Sequence, residues 1–222
     1  MKTVAFVPIK MNNERLPGKN IKPFDDGKSI LSLILEKIQS ANNIDEIYVF
    51  CSDESIREYL PKEVKLIIRD KKLDTAKATS QDIINSFISE VDADIYLLAH
   101  ATSPFIKSSN IELCIDKVKN NNYDSAFTAH KLQKLMWSEN KPLNFDPTNI
   151  PRTQDLVPIY EEVSAAYVFK KETFKNYNRR IGINPYICSV SLIESVDIDE
   201  YEDFELANCI YMNMLRKETN NE

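Results

Sequence analysis

Three cations and a glycine follow the first apolar run of this 222-residue sequence. The stretch Pro8-Ile9-Lys10-Met11-Asn12-Asn13-Glu14-Arg15-Leu16-Pro17-Gly18-Lys19-Asn20 carries Lys10, Arg15 and Lys19 beside Gly18, one of only three glycines in the chain. A triphosphate needs cationic donors and close backbone approach, and this loop offers both. It is not a P-loop, because GxxxxGK followed by Ser or Thr is absent, nor does it contain a GxGxxG fingerprint. A solvated basic turn is the competing reading. Near the other end, Asp197 and Asp199 sit two apart on a segment that reads as extended. That spacing points both carboxylates to one side, so they could share a metal ion, or else cap the helix that follows.

The elements around these groups read as an α/β fold. Thr3 to Val7, Ile47 to Cys51, Val64 to Ile68 and Ile95 to Ala99 are apolar strand-like runs. Between them, Leu31, Ile34, Leu35 and Ile38 mark one helical face, and Ile84, Phe87, Ile88 and Val91 another. Ser109 and Glu112 read as a capping box before the face Ile111, Cys114, Ile115 and Val118. Strands apolar throughout and separated by helices predict a mainly parallel sheet covered on both sides. In such a sheet ligands collect beyond the carboxyl ends of the strands, which favours the loop after the first strand. The pattern changes after about Ala129: residues 131–162 hold Pro142, Pro147, Pro151 and Pro158 and few periodic apolar positions, as in an inserted arm. Strand-like runs return at Ala165 to Phe169 and Tyr186 to Val190. A last helix carries Phe204, Ala207, Ile210, Tyr211 and Met214 on one side, and the polar residues 217–222 read as a frayed end. One domain spanning residues 1–222 with an inserted arm fits better than two domains.

Composition narrows the function. A net charge of -6 and a pI near 5.2 exclude a general nucleic-acid binder, which needs a basic face, but not a nucleotide binder. Cys51, Cys114, Cys188 and Cys209 have no metal-ligand spacing and read as buried free thiols. Lys2, Pro8 and Lys10 interrupt any N-terminal signal, and no run reaches the ~20 apolar residues of a membrane span. The expected location is the cytoplasm.

The loop resembles the N-terminal signature of the sugar-acid cytidylyltransferases, the family of acylneuraminate (CMP-sialic acid) and Kdo cytidylyltransferases. Arg15-Leu16-Pro17-Gly18-Lys19 is similar to the RLPGK of the Kdo branch, and Lys19-Asn20-Ile21 to the corresponding KN motif of the sialate branch. Further matches follow in sialate order along nearly the whole chain. Ala78-Thr79-Ser80 opens a helix, and Leu98 to Phe105 resembles the strand end LLQPTSPL. Pro151-Arg152-Thr153-Gln154-Asp155-Leu156 resembles PRRQDL, and Ser195 to Asp199 resembles SxDID.

This resemblance implies a Rossmann-like nucleotide-diphospho-sugar transferase fold, a dimerisation arm and a homodimer. It implies transfer of CMP from CTP to a sugar acid, with release of pyrophosphate. Such transfers depend on positioning and charge neutralisation. Lys10, Arg15 and Lys19 would hold the phosphates, with Asn20, Arg69, Thr79 and Ser80 on the nucleotide. Mg²⁺ would sit on Asp197 and Asp199. His100, Thr102, Arg152, Gln154, Glu161 and Glu162 would face the acceptor, His100 standing where the family usually has glutamine. A salt bridge at the surface is the other explanation of Arg69, and a plain helix cap that of Thr79 and Ser80. Departures concern the acceptor. Lys10 replaces a strand-end arginine, losing bidentate geometry. Where the sialate branch has a YRENGAIY-like stretch, Glu161 stands for the arginine and Val163 for the asparagine. Glu161 would repel an acceptor carboxylate unless Arg152 compensates. The expected acceptor is therefore a related nonulosonic acid or another polar molecule. Two rival readings are a nucleotidyltransferase of this fold with a different acceptor and a non-catalytic homologue.

Overall fold

A computed structural model describes residues 1–216; the expected frayed end at 217–222 lies outside the described residues. In chain order the main elements are β1 (Thr3–Ile9), α1 (Ile30–Gln39), β2 (Glu46–Cys51), β3 (Val64–Ile68), α2 (Ser80–Glu90), β4 (Ile95–Ala99) and α3 (Ser108–Asn120). There follow β5 (Ser125–Leu132), a hairpin of β6 (Trp137–Ser138) and β7 (Lys141–Pro142), β8 (Ile159–Lys170), α4 (Lys171–Tyr177), β9 (Pro185–Val190) and α5 (Tyr201–Ile210). A seven-stranded sheet runs β3-β2-β1-β4-β8-β5-β9. Its pairings are parallel except that β8 runs antiparallel to both β4 and β5.

The apolar runs form strands because both sheet faces are covered. On one face Leu31, Ile34, Leu35 and Ile38 of α1 join Ile111, Cys114, Ile115 and Val118 of α3. On the other, Ile84 and Phe87 of α2 and Phe174 of α4 pack on Phe6, Tyr96 and Phe169. A third cluster lies at the ligand side: Leu16 from the basic loop, Phe24, Phe105, Ile198, and Phe204, Ala207 and Tyr211 from the last helix. It ties the basic loop to the segment bearing Asp199.

Several expectations need correction. Ser109 does not cap α3: the N-cap is Lys107, and Glu112 instead accepts hydrogen bonds from the backbone and side-chain N–H groups of Asn42. Cys51, Cys114 and Cys188 are buried thiols, but Cys209 is exposed because it falls on the outer side of α5. Met214 is exposed rather than part of the buried face of the last helix. The ends of segment 131–162 belong to the sheet, since Leu132 pairs with Ile159, Lys131 with Tyr160, His130 with Glu161 and Ala129 with Glu162. Residues 133–158 lie between these two strands and carry the small hairpin.

The long β8 matters most for the site. Ala166 pairs with Ala99 at the end of β4, so the first half of β8 continues past that end to the ligand side. Its pairing with β5 is interrupted between Phe127 and Ala129. There the Thr128 hydroxyl donates to the Val163 carbonyl at 2.8 Å and accepts from the Ala166 N–H at 3.2 Å, holding the kink.

Candidate active site

The basic loop is built by local turns. Gly18 has φ of +67°, a left-handed conformation that favours glycine. Lys22 N–H donates to the Gly18 carbonyl at 3.0 Å, and buried Leu16 anchors the loop in the third cluster. Asn20 is buried; its Nδ2 donates to the Lys10 carbonyl at 2.9 Å and its carbonyl accepts from Leu31 N–H at 3.1 Å. Asn20 thus fastens the loop to its own start and to α1.

Asp199 is the centre of charge. Its Oδ1 accepts from Lys19 Nζ at 3.0 Å and its Oδ2 lies 2.8 Å from Arg15 Nη2. Lys19 is buried and also donates to the Ile198 carbonyl at 2.8 Å. Burial pushes the Asp199 carboxyl up, but Lys19 and Arg15 outweigh it and hold the group below the ordinary carboxylate range. Asp199 does not cap the last helix. Glu200 occupies the N-cap, and Asp203 accepts from the N–H groups of Asp199 and Glu200 at 3.0 and 2.8 Å. The segment is pinned to the end of β4 by Ile198 N–H donating to the Thr102 carbonyl at 2.8 Å. Ile198 is fully buried between exposed Asp197 and half-buried Asp199, as alternation along an extended segment requires.

Two adjoining clefts open here, beyond the carboxyl ends of β1 and β4. One, of about 320 Å³, is lined by Lys10, Asn13, Arg15, Lys19 and Asp199 among others. The next, of about 300 Å³, shares Lys10, Asn13 and Lys19 and adds Asn20, Arg69, Asp74, Ala78, His100 and Thr102. Arg69 is not in a surface salt bridge. It is buried, its Nη2 donates to Asp74 Oδ1 at 2.7 Å, and its Nε and Nη1 have no partner. Asp74 also accepts from the Ser52 hydroxyl, which fixes the carboxylate that holds Arg69.

A third cavity, of about 280 Å³, lies across the start of α2 and contains Ser80, Gln81, Glu162, Arg179 and Arg180. The Arg180 guanidinium lies 3.6 Å from the centroid of the Tyr167 ring, and its Nη2 donates to Glu162 Oε1 at 3.1 Å. Tyr167 OH donates to the same oxygen at 2.5 Å.

The structure therefore brings Lys10, Arg15, Lys19 and Asp199 together, sets Asn20, Arg69, His100 and Thr102 beside them, and places Ser80 and Glu162 in the neighbouring cavity. Thr79 is the N-cap of α2, its hydroxyl engaged with Asp82 in a capping box. Arg152 does not compensate Glu161. It is exposed and bonded to Asp155 at 2.8 Å in the turn Thr153–Asp155, where exposed Gln154 also sits. Glu161 is exposed, and Val163 is buried in the core. Arg180, Tyr167 and Asp74 were missed by sequence reasoning. The available signal was the pair Arg179-Arg180 in the turn that leads through Gly182 to β9.

His100 is held neutral. Burial first, then the nearby Arg180 charge, depress its pKa from 6.5 to about 4. Stability rises with pH wherever the unfolded chain binds more protons, so this group's contribution is complete above about pH 6.5 and is lost as pH falls toward 4. The shift corresponds to roughly 3 kcal/mol. Urea unfolding between pH 7.5 and 4.5 should show wild type losing more stability than His100→Gln; parallel losses would exclude this cause.

The sequence matches the family defined as cytidylyltransferase over residues 4–221. N-acylneuraminate cytidylyltransferase of Streptococcus agalactiae serotype III is 25% identical over 215 residues, covering 92% of this chain and 52% of that protein. The 3-deoxy-manno-octulosonate cytidylyltransferase 2 of Hydrogenovibrio crunogenus is 26% identical over 133 residues, 60% of this chain and 53% of that one. The chain thus spans about half the length of these curated relatives. In fold it is similar to CMP:2-keto-3-deoxy-manno-octonic acid synthetase complexed with CTP, with TM-score 0.73, 17% identity, and coverage of 96% of this chain and 99% of that one. It is also similar to 4-diphosphocytidyl-2C-methyl-D-erythritol synthase from Anaerococcus prevotii, with TM-score 0.65, 13% identity and 96% coverage of each. With a family match running almost end to end over a fold that these structures share, the chain belongs to the cytidylyltransferase family.

Proposed function

We propose that this chain transfers the cytidylyl group of CTP to a hydroxyl of a sugar acid and releases pyrophosphate. The observation that carries the reading is the ionised Asp199 carboxylate between Lys19 and Arg15, with Lys10 lining the same cleft, in a chain of this family. Relatives are named for N-acylneuraminate, 3-deoxy-manno-octulosonate and pseudaminic acid, which supplies the acceptor class.

In the reaction, an acceptor oxygen bonds to the α-phosphorus and the bond from that phosphorus to the bridging oxygen breaks. Pyrophosphate leaves with the bridging oxygen, and the acceptor's proton passes to the medium. Lys10, Arg15 and Lys19 neutralise the phosphates, which is where this chemistry needs help. Arg69, buried against Asp74 at the wall of the second cleft, lends its charge to the nucleotide, and Asn20 offers the fixed edge of the loop. Thr79 caps α2 next to Ala78, which lines that cleft, whereas Ser80 opens onto the neighbouring cavity.

The donor set fits Mg²⁺. Among the described residues no group of three or more His, Cys, Asp and Glu could hold an ion alone. Mg²⁺ asks for less, binding through one or two carboxylates together with substrate phosphates and water. Asp199 is ionised and Asp197 lies on the same side of its segment. The ion would supply charge neutralisation to the departing pyrophosphate.

The inserted segment exposes Trp137, Leu143, Ile150 and Val157. We read it as the contact of a homodimer. Deleting residues 134–157, which leaves β5 and β8 intact, should give a monomer on size-exclusion chromatography; an unchanged dimer would refute this. The described residues include no helix long and apolar enough to cross a membrane. We place the reaction in the cytoplasm, where CTP is made.

Incubation with each of the four nucleoside triphosphates, Mg²⁺ and the three acids named above should release pyrophosphate only with CTP and an acid. Turnover with UTP and none with CTP would overturn the choice of base. CTP binding without pyrophosphate release from any acceptor would favour a non-catalytic subunit.

A further inference from the structure

We propose that Arg180 is the residue that recognises the carboxylate of the acceptor, in the cavity it lines with Arg179, Glu162 and Ser80. This rests on the functional reading above and names the part of the site that the sequence resemblance left open.

Charge is the first argument. Two arginines and one glutamate line this cavity, leaving it net positive where Glu161 and the distant Arg152 could not. Preorganisation is the second. Arg180 is half-buried, stacked on Tyr167 at 3.6 Å, and tied to Glu162 Oε1 at 3.1 Å and Ser80 Oγ at 3.4 Å. A guanidinium has five N–H donors. Two of them make these bonds, so the rest of the planar fork stays available to a carboxylate. Glu162 receives both Tyr167 and Arg180 on one oxygen, which leaves its other oxygen for a ligand hydroxyl.

The turn that carries Arg180 is stapled to the sheet. Gly182 N–H donates to Ser125 Oγ at 2.8 Å, and the Ile183 and Asn184 N–H groups donate to Asp124 Oδ2 at 2.7 and 3.0 Å. A Cβ on Gly182 would meet the Asp124 carboxylate at 2.3 Å, so only glycine lets the turn approach this closely. Location is the last argument. Tyr167 neighbours His100 at 6.1 Å between ring centroids, and His100 lines the nucleotide cleft. An acid held by Arg180 thus lies next to the nucleotide site.

The test is calorimetric and needs no turnover. Wild type, Arg180→Gln and Arg180→Lys are titrated with CTP, and with each of the three sugar acids beside its carboxamide. Wild type should bind at least one acid about a hundredfold tighter than its amide. Arg180→Gln should lose that difference while CTP affinity and melting midpoint stay within experimental error. If the Gln form is too unstable to titrate, Arg180→Lys should still bind the acid about tenfold more weakly. Equal binding of acid and amide by wild type, no binding of any acid, or full acid affinity in the variants would overturn the assignment. CTP affinity retained in those cases leaves the nucleotide reading standing, whereas failure of wild type to bind CTP would bring down that reading instead.

Discussion

Asp199→Asn should lower kcat by about 10²–10³-fold, the scale set by removing one preorganised charged group from a phosphoryl-type transition state. Asparagine keeps the size and an oxygen for Lys19 Nζ, now 3.0 Å away, but not the charge that balances the two cations and that the proposed Mg²⁺ would need. The effect should fall on kcat with saturating CTP and acceptor, because the fold around Asp199 is held by other groups. Ile198 N–H bonds to Thr102, and Asp203 holds the start of the last helix. Lys19 would keep its bond to the Ile198 carbonyl, so the melting midpoint should move little. Asp197→Asn should show the same loss if both carboxylates share the ion. A wild-type kcat in both variants, with metal still required, would remove them from the chemistry.

Phe87→Ala should cost about 3–5 kcal/mol in urea unfolding, the usual range for emptying a large aromatic site in a core. Phe87 is fully buried on α2 and stacks on Phe6 with centroids 4.1 Å apart. Tyr48, Phe50 and Tyr96 meet it edge-on at 5.7, 5.4 and 6.3 Å. Four aromatic neighbours fixed on three strands have little freedom to collapse into the gap. A loss below about 1 kcal/mol would mean that they do. Because α2 begins at Ser80, the same variant should weaken acceptor binding before the chain unfolds globally.

What the sequence made legible was local. The strands β1 to β4 are mostly apolar runs, broken in β3 only by Lys65, and the α1 and α3 faces recur at helical spacing; all of these were readable. β5 was not, because Ser125-Ala126-Phe127-Thr128-Ala129-His130-Lys131 has little apolar periodicity. It is an interior strand because β8 and β9 flank it and Ser125 and Thr128 use their hydroxyls there. The first half of β8 hid in the same way: residues 159–162 fell within the segment read as an inserted arm, yet they are sheet strand that projects past β4 into the ligand side.

The site divides along the same line. Lys10, Arg15 and Lys19 lie in one loop, and their role as a charged group could be read from it. The Asp199 partnership joins positions 180 residues apart, and neither the spacing of Asp197 and Asp199 nor the resemblance named Lys19 as a partner. Arg180, Glu162, Tyr167 and Ser80 meet from three separate parts of the chain, so no spacing rule could assemble them. Arg69 was read as a nucleotide contact or a surface ion pair. Its burial against Asp74 with two idle donors is a third state, visible only after folding.

The central claim is transfer of CMP itself. CTP radiolabelled at the α-phosphorus, incubated with the protein, Mg²⁺ and a sugar acid, tests it in one chromatogram. The account predicts that label moves into a CMP-acid conjugate, with one pyrophosphate released for each conjugate formed. Label that stays in CTP, or that appears only as free CMP or CDP whether or not the acid is present, would contradict it.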